Sequence, residues 1–320
     1  MTVHYLTIFD RNYLVPAFAQ YSQIRRVSNS QIHFYTLDDE AAEQLRWLEL
    51  DGATVRAPRD YIPEDIWARR GNWSKGAFAF MNKAVALEHL MDTDESAHWG
   101  VYFDVDVGVF DDPQVLINSL TPDISVQLTP HRFTPEFEHF ERDAGRFNAG
   151  YVAFRNSRSG RQALGHWREL CFEWCHDVVD AERFGDQKYL ERLAEKYPSV
   201  SVCSHPGANA APWNIADKNL SLIDGRPQVE GEPLVFYHFQ GLKQYNRQLI
   251  HLYASRDMIV SNKLLEYIYR PYINSLIKSA DYLQQQLGVL PVYAKRTLKF
   301  RIYEFFMKMK GLPDNYHRLH

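Results

Sequence analysis

The 320-residue chain has only three cysteines, Cys171, Cys175 and Cys203, too few for a disulfide framework. It has no apolar run of about 18 residues, so no membrane-spanning helix is expected. Its opening residues, MTVHYLTIFDRNYL, lack the basic region and apolar core of a secretory signal. There is no cationic excess: 36 Lys and Arg stand against 40 Asp and Glu, a net charge of -4, which argues against a nucleic-acid partner. A glycine-rich phosphate loop is missing after the first apolar segment, since DRNYLVPAF holds no glycine. That absence argues against a sugar-phosphate nucleotidyltransferase. No repeat or low-complexity tract is visible. What remains is an expected cytoplasmic protein, soluble or peripheral on a membrane. With 45% hydrophobic and 14% aromatic residues, it can bury a sizeable core.

The pattern along the chain alternates short apolar segments with helical ones. VHYLTIF reads as a strand, 14–26 as a helix, 31–37 as a strand, 39–50 as a helix and GATVRAP as a third strand. Such βαβ alternation predicts an α/β fold with a mostly parallel sheet flanked by helices. A helix over 73–91 leads to the strand around 101–106. Further strands are expected at 123–131 and 147–156, and helices at 159–179 and from Gly185-Asp186 onward. Cys171 and Cys175 lie four apart beside His176, a spacing that also suits a metal. The helical run Gln162–Val179 explains them more simply as small buried side chains.

The stretch VYFDVDVGVFDDP, residues 101–113, carries the strongest chemical signal. Asp104 and Asp106 are one residue apart at the end of an apolar run. On a continuing strand they would project to one side, about 7 Å apart. Two converging carboxylates repel unless a cation lies between them, and a divalent ion that also holds a diphosphate is the usual solution. Strand ends of such sheets are also where ligands bind, and DRNY ends the first strand as DVD ends a later one.

Over roughly residues 3–250 the chain resembles the retaining glycosyltransferases of family eight, which have the Rossmann-like GT-A fold. The motifs come in the family's order. DRNY (Asp10, Asn12, Tyr13) resembles its uracil-binding turn, where a flat ring with little rotamer entropy to lose stacks on the base. DVD (Asp104, Val105, Asp106) resembles its metal motif. FNAG (Phe147, Asn148, Ala149, Gly150) resembles the strand whose Asn contacts the donor sugar. GDQ (Gly185, Asp186, Gln187) resembles the pair beneath the reacting carbon, and PWN (Pro212, Trp213, Asn214) a further family stretch. HFQGLK (His238, Gly241, Lys243) resembles the segment that supplies a third metal ligand and a diphosphate contact. Here Lys243 follows His238 by five residues rather than six and is followed by Gln244-Tyr245 rather than Pro-Trp. His131 stands where many members carry an Asp that grips the sugar. The family's basic residue before the metal strand matches Lys83 best and Lys75 second.

The resemblance implies Mn²⁺ or Mg²⁺ on Asp104, Asp106 and His238, with Lys83 and Lys243 adding positive charge at the diphosphate. Asp10, Asn12, Tyr13, Val105, His131, Asn148, Ala149 and Gly241 are the other implied donor contacts. Asp186 would bond sugar hydroxyls and Gln187 would stabilise the anomeric carbon, these two being the expected catalytic residues. The implied reaction moves a hexose from a UDP-sugar to a glycan or lipid-linked acceptor with retention, in bacterial surface polysaccharide or lipopolysaccharide assembly. A non-catalytic sugar-nucleotide binder is the alternative. Singly, each residue has a plain structural role: Tyr13 or His238 in the core, Asn148 at a strand end, Asp186 capping a helix.

Residues 1–255 are expected to form the catalytic domain and 256–320 an appendage of two amphipathic helices, separated at Gly288 and Pro291. In the second, Leu298, Ile302, Phe305, Phe306 and Met309 share a stripe at about 100° per residue. From Val289 onward seven Lys or Arg face two acids. Such a stripe suits an anionic membrane surface, and equally packing on the catalytic domain or a second subunit.

Overall fold

The computed structural model describes residues 1–295, apart from 181, 248 and 253–259, together with 316–318. The strands are Val3–Phe9 (β1), Ile32–Thr36 (β2), Ala53–Arg56 (β3), Trp99–Phe103 (β4), the short Val107–Val109 (β5), Val126–Pro130 (β6), Phe147–Arg155 (β7) and Val200–Val202 (β8). Among the described residues all of these except β5 build a seven-stranded sheet in the order β3-β2-β1-β4-β7-β6-β8. β1 runs parallel to β2 and β4, β2 to β3, and β6 to β8. β7 runs antiparallel to both β4 and β6. This reversal places the start of β7 at the same edge as the carboxyl ends of β1 and β4. FNAG therefore meets DVD, and the Asp104 amide donates to the Gly150 carbonyl at 2.9 Å.

The strands are buried on both faces, as the near-continuous apolar runs require. Side chains alternate strictly. Leu6, Ile8 and Tyr102 pack with the helix Lys75–Thr93 on one face, whereas Val3, Tyr5, Phe9, Val101 and Phe103 pack with the helix Leu14–Val27 on the other. Each large side chain buried in this way contributes about 1.5–3 kcal/mol. Ser74 starts the helix Lys75–Thr93 by accepting from the Ala77 amide at 3.1 Å, and Asp38 caps Asp39–Trp47 in the same way. A three-stranded antiparallel unit, Leu220–Ile223 (β9), Arg226–Val229 (β10) and Glu232–Pro233 (β11), precedes Phe236–His238 (β12). β12 pairs antiparallel with β5, opposing His238 to Val107.

Several element ends differ from expectation. The helix expected over 159–179 spans Arg158–Glu173, because the chain turns extended at Trp174 and folds back, with the Gly185 amide donating to the His176 carbonyl at 2.9 Å. Cys171 and Cys175 are both buried there. The next helix begins at Tyr189 rather than at Gly185-Asp186, since Gly185 is left-handed at φ 54°. Asp186 therefore caps no helix.

The expected helix after residue 262 contains a π-helical turn, Leu265–Tyr269, before Arg270–Leu287. Pro271 explains it, as proline lacks a donor and crowds the carbonyl four residues back. The helix stops at Gly288, left-handed at φ 68°. It packs on Leu14–Val27, where Phe18 and Tyr282 stack at 4.9 Å, and Tyr269 and Tyr272 join a further core around Tyr237 and Phe239. The second amphipathic helix, with its Leu298–Met309 stripe, lies outside the described residues. No helix among those described is long and apolar enough to cross a membrane.

Candidate active site

Asp104 and Asp106 do not lie on a continuing strand. β4 ends at Phe103 and β5 begins at Val107, so DVD is a turn, closed by the Val107 amide donating to the Asp104 carbonyl at 3.0 Å. Two glutamines absent from the sequence reading hold that turn from the helix Leu14–Val27. Gln20 Nε2 donates to the carbonyls of Asp104 at 2.8 Å and Val107 at 2.9 Å, and Gln23 Oε1 accepts from the Val109 amide at 2.9 Å. Val105, between the carboxylates, packs partly buried against the core. The signal for the glutamines was present: two amides three apart on the buried face of an amphipathic helix.

The turn brings Asp104 and Asp106 to His238, which β12 delivers from 132 residues further on (238 − 106). One ligand atom from each of the three residues lies within 4.8 Å of the others. His238 Nε2 is 3.2 Å from Asp106 Oδ1. Burial opposes the charged imidazole, but the Asp106 carboxylate outweighs it and raises the His238 pKa. Asp106, itself penalised by burial, is held below the usual carboxylate range by His238. Asp104 Oδ1 is already engaged, accepting from Tyr102 OH at 2.7 Å and facing Lys83 Nζ at 2.9 Å. Two carboxylates and one imidazole, preassembled at this spacing, fit a divalent ion such as Mn²⁺ or Mg²⁺.

Lys83 was expected at the diphosphate and lies elsewhere. It is only 2% exposed, and its ammonium meets Asp104 Oδ1, Asp186 Oδ2 at 3.2 Å and the Ala149 carbonyl at 3.1 Å. Burial alone would lower its pKa, but Asp104 and Asp186 raise it. Its charge therefore acts through Asp104. Asp186 is buried behind the turn, and burial, aided by Asp104 and countered by Lys83, pushes its carboxyl up to about 6.

Asn148 has its polar atoms committed. Its Oδ1 accepts from the Gly150 amide at 3.0 Å, which identifies the oxygen, and therefore also from His238 Nδ1 at 3.1 Å. Its Nδ2 donates to Gln187 Oε1 at 3.1 Å and approaches His131 Nε2 at 3.4 Å. His131 Nδ1 in turn donates to the Gly145 carbonyl at 2.8 Å. Burial holds the His131 pKa down at about 4, so its Nε2 stays an acceptor. His131, expected to grip the sugar, thus lies behind Asn148, and the chain of bonds leaves the His238 Nε2 lone pair directed at the carboxylates. The Gln187 carbonyl also accepts from the Ala149 amide at 3.3 Å, and its Nε2 donates to the Ala144 carbonyl at 2.7 Å.

Tyr13 is half exposed rather than a core aromatic, and burial together with Asp106 and Asp10 raises its pKa. Asp10 accepts from the Asn12 amide at 3.0 Å and from Asn12 Nδ2 at 2.8 Å, forming the 3₁₀ turn that presents Tyr13. Lys75, the second-choice basic residue, reaches Asp10 at 3.5 Å. A cavity of about 480 Å³ opens beside Asp10, lined also by Leu37, Trp67, Trp73 and Lys75. Gly241 turns left-handed at φ 77°, and exposed Lys243 follows in the two-residue strand Lys243–Gln244.

No family model matches the chain. It is similar to the uncharacterized protein YfnD of Bacillus subtilis (strain 168), 29% identical over 307 residues, covering 92% of this chain and 96% of YfnD. To the uncharacterized protein YfnF of the same strain it is 28% identical over 251 residues, 76% of this chain and 82% of YfnF. Among solved structures it is similar to the galactosyltransferase LgtC in complex with donor and acceptor sugar analogs. That match has a TM-score of 0.51 at 15% identity and covers 86% of this chain and 95% of LgtC. An active-site mutant of LgtC gives the same TM-score of 0.51 at 14% identity, covering 93% of this chain and 99% of the mutant. With its parallel β1–β4 half and reversed β7, the chain has the GT-A fold of those enzymes.

Proposed function

We propose that this chain is a metal-dependent glycosyltransferase, similar to the retaining enzymes of family eight, that moves a hexose from a UDP-sugar to a glycan or lipid-linked acceptor. The observation that carries this reading is the convergence of Asp104, Asp106 and His238 within 4.8 Å, with Asp104 linked to Asp186 through Lys83. Those three residues would hold Mn²⁺ or Mg²⁺, which when bound supplies a Lewis acid for the departing diphosphate. Tyr13 offers its exposed ring to the uracil, and Asp10 and Asn12 hold the turn beneath it. Lys83 pairs with Asp104, and Asn148 fixes the tautomer of His238. Exposed Lys243 is a candidate for the diphosphate. Asp186 and Gln187 are the proposed catalytic pair, Asp186 buried against Lys83 and Gln187 with its carbonyl anchored to the start of β7.

The catalytic unit in this reading is residues 1–255, with Arg270–Leu287 packed on it. Cytoplasmic location, retention, a role in surface-glycan assembly, and contact of 289–320 with an anionic membrane or a second subunit belong to the same proposal. They rest on the sequence. The test is incubation with a panel of UDP-sugars and Mn²⁺, following UDP release. Release with one sugar, reduced more than about 100-fold by Asp106→Ala, is expected. UDP binding without release from any sugar would favour the non-catalytic binder. Full activity in the Asp104→Ala/Asp106→Ala protein would overturn the metal assignment.

A further inference from the structure

A second set of metal-type side chains lies at the opposite end of the sheet. His4 sits near the start of β1 and His33 on β2, whereas Asp10 lies beyond the far end of β1. At about 3.3 Å per residue, the six residues from His4 to Asp10 separate the two places by about 20 Å. His4 and His33 are buried and stacked, their ring planes 17° apart. His4 Nδ1 is 3.0 Å from His33 Nε2 and 3.4 Å from Asp94 Oδ2.

One ligand-type atom from each of the three residues thus lies within 4.8 Å of the others. Only one proton fits between the two ring nitrogens, because two would collide at that distance. If His33 donates it, His4 Nδ1 presents a lone pair to the Asp94 carboxylate. If His4 carries it, His33 Nε2 and Asp94 Oδ2 compete for it. With the proton on His33, His4 Nδ1 and Asp94 Oδ2 are acceptors 3.4 Å apart, an arrangement that a cation held by all three residues would relieve.

The surroundings orient each ligand. His33 Nδ1 is held by Thr54 Oγ1 at 2.7 Å, on the neighbouring β3. Asp94 Oδ1 accepts from the Ser96 amide at 3.0 Å and from Ser96 Oγ at 2.6 Å, which frees Oδ2 for the histidines. Ligands about 2.0–2.1 Å from a tetrahedral ion stand about 3.3 Å from one another, and the separations of His4 Nδ1 from His33 Nε2 and Asp94 Oδ2, 3.0 and 3.4 Å, are close to this. The side chain of Asp94 is 32% exposed, which leaves a route to solvent and room for a water ligand.

We infer that His4, His33 and Asp94 form a second metal site, distinct from the one at Asp104, Asp106 and His238. Its two imidazoles and one carboxylate select a borderline late divalent ion such as Zn²⁺ over Mg²⁺ or Ca²⁺. Its place gives it a structural task. Asp94 follows directly on the helix Lys75–Thr93, so the ion ties the end of that helix to β1 and β2 at the edge remote from the reaction.

The experiment titrates Zn²⁺ into the full-length Asp106→Ala protein, in which the first site is disabled, and reads binding calorimetrically and by thermal unfolding. One Zn²⁺ is expected to bind and to raise the unfolding temperature. Adding Asp94→Asn, a change at the solvent-facing ligand, is expected to weaken binding about tenfold or more, and adding His33→Gln to abolish it. An Asp106→Ala protein that binds no Zn²⁺, or binds it equally with and without Asp94→Asn, overturns the inference. Neither result bears on whether the chain releases UDP.

Discussion

Lys83 Nζ stands 3.2 Å from Asp186 Oδ2, and both side chains are sealed almost completely from solvent. Removing only the cation leaves a buried carboxylate unpaired and withdraws the partner of Asp104. Lys83→Met should cost about 3–5 kcal/mol in urea unfolding. Lys83→Met/Asp186→Leu should recover much of that loss, and a double variant no more stable than the single one would contradict this account.

Asn148 reaches the proposed ion only through His238, whose Nδ1 lies 3.1 Å from its Oδ1. Asn148→Leu should therefore weaken Mn²⁺ binding about 10–100-fold, while leaving Asp104 and Asp106 in place. The free Mn²⁺ signal in electron paramagnetic resonance measures this directly, and unchanged affinity would remove Asn148 from the relay.

Protons and metal should compete at His238. Its folded pKa is raised above the ordinary value of 6.5, with Asp106 overcoming the cost of burial. In the metal-free protein the extra stability is complete below about 6.5 and fades as pH rises through the raised value. Metal binding has the opposite sign, because Nε2 must lose its proton first. Mn²⁺ affinity should climb up to about tenfold per pH unit across that window and then level off. A flat affinity profile between pH 6 and 8 would refute the coupling.

Gly150 backs the same imidazole. A Cβ there would lie 2.6 Å from Asn148 Oδ1 and 2.6 Å from the His238 ring atoms Cε1 and Nδ1. Gly150→Ala should cost about 1–3 kcal/mol through overpacking and should displace His238. The expected result is a lowered unfolding temperature together with a loss of Mn²⁺ binding, whereas Gly225→Ala, in open space, should leave Mn²⁺ binding intact.

The βαβ alternation made the first half of the sheet legible, since β1, β2 and β4 are apolar runs bounded by polar turns. The reversal of β7 was not legible, because an apolar strand reads the same in either direction. That reversal is what brings Gly150 to Asp104. Asp104, Asp106 and His238 stood out as polar residues punctuating apolar segments, and they do come together. Lys83 was singled out as the best match to the family's basic residue before the metal strand, but its burial against Tyr102 and Asp186 is a tertiary fact that spacing does not carry. His131 and Asn148 were read as sugar contacts through the resemblance, by their places in LTPH and FNAG. Their hydrogen bonds to one another depend on the β-bulge between Leu128 and Thr129, which no local pattern announced.

The antiparallel pairing of β12 with β5 also bears on how the chain folds. It closes a loop of about 130 residues, and such long-range closures reward the chain late, after their entropy has been spent. The first half of the sheet is held by shorter connections and can form without it. Mn²⁺ affinity should therefore appear only in the last folding step. That makes the ion a probe of complete folding, and refolding followed by Mn²⁺ uptake should lag behind refolding followed by helix content.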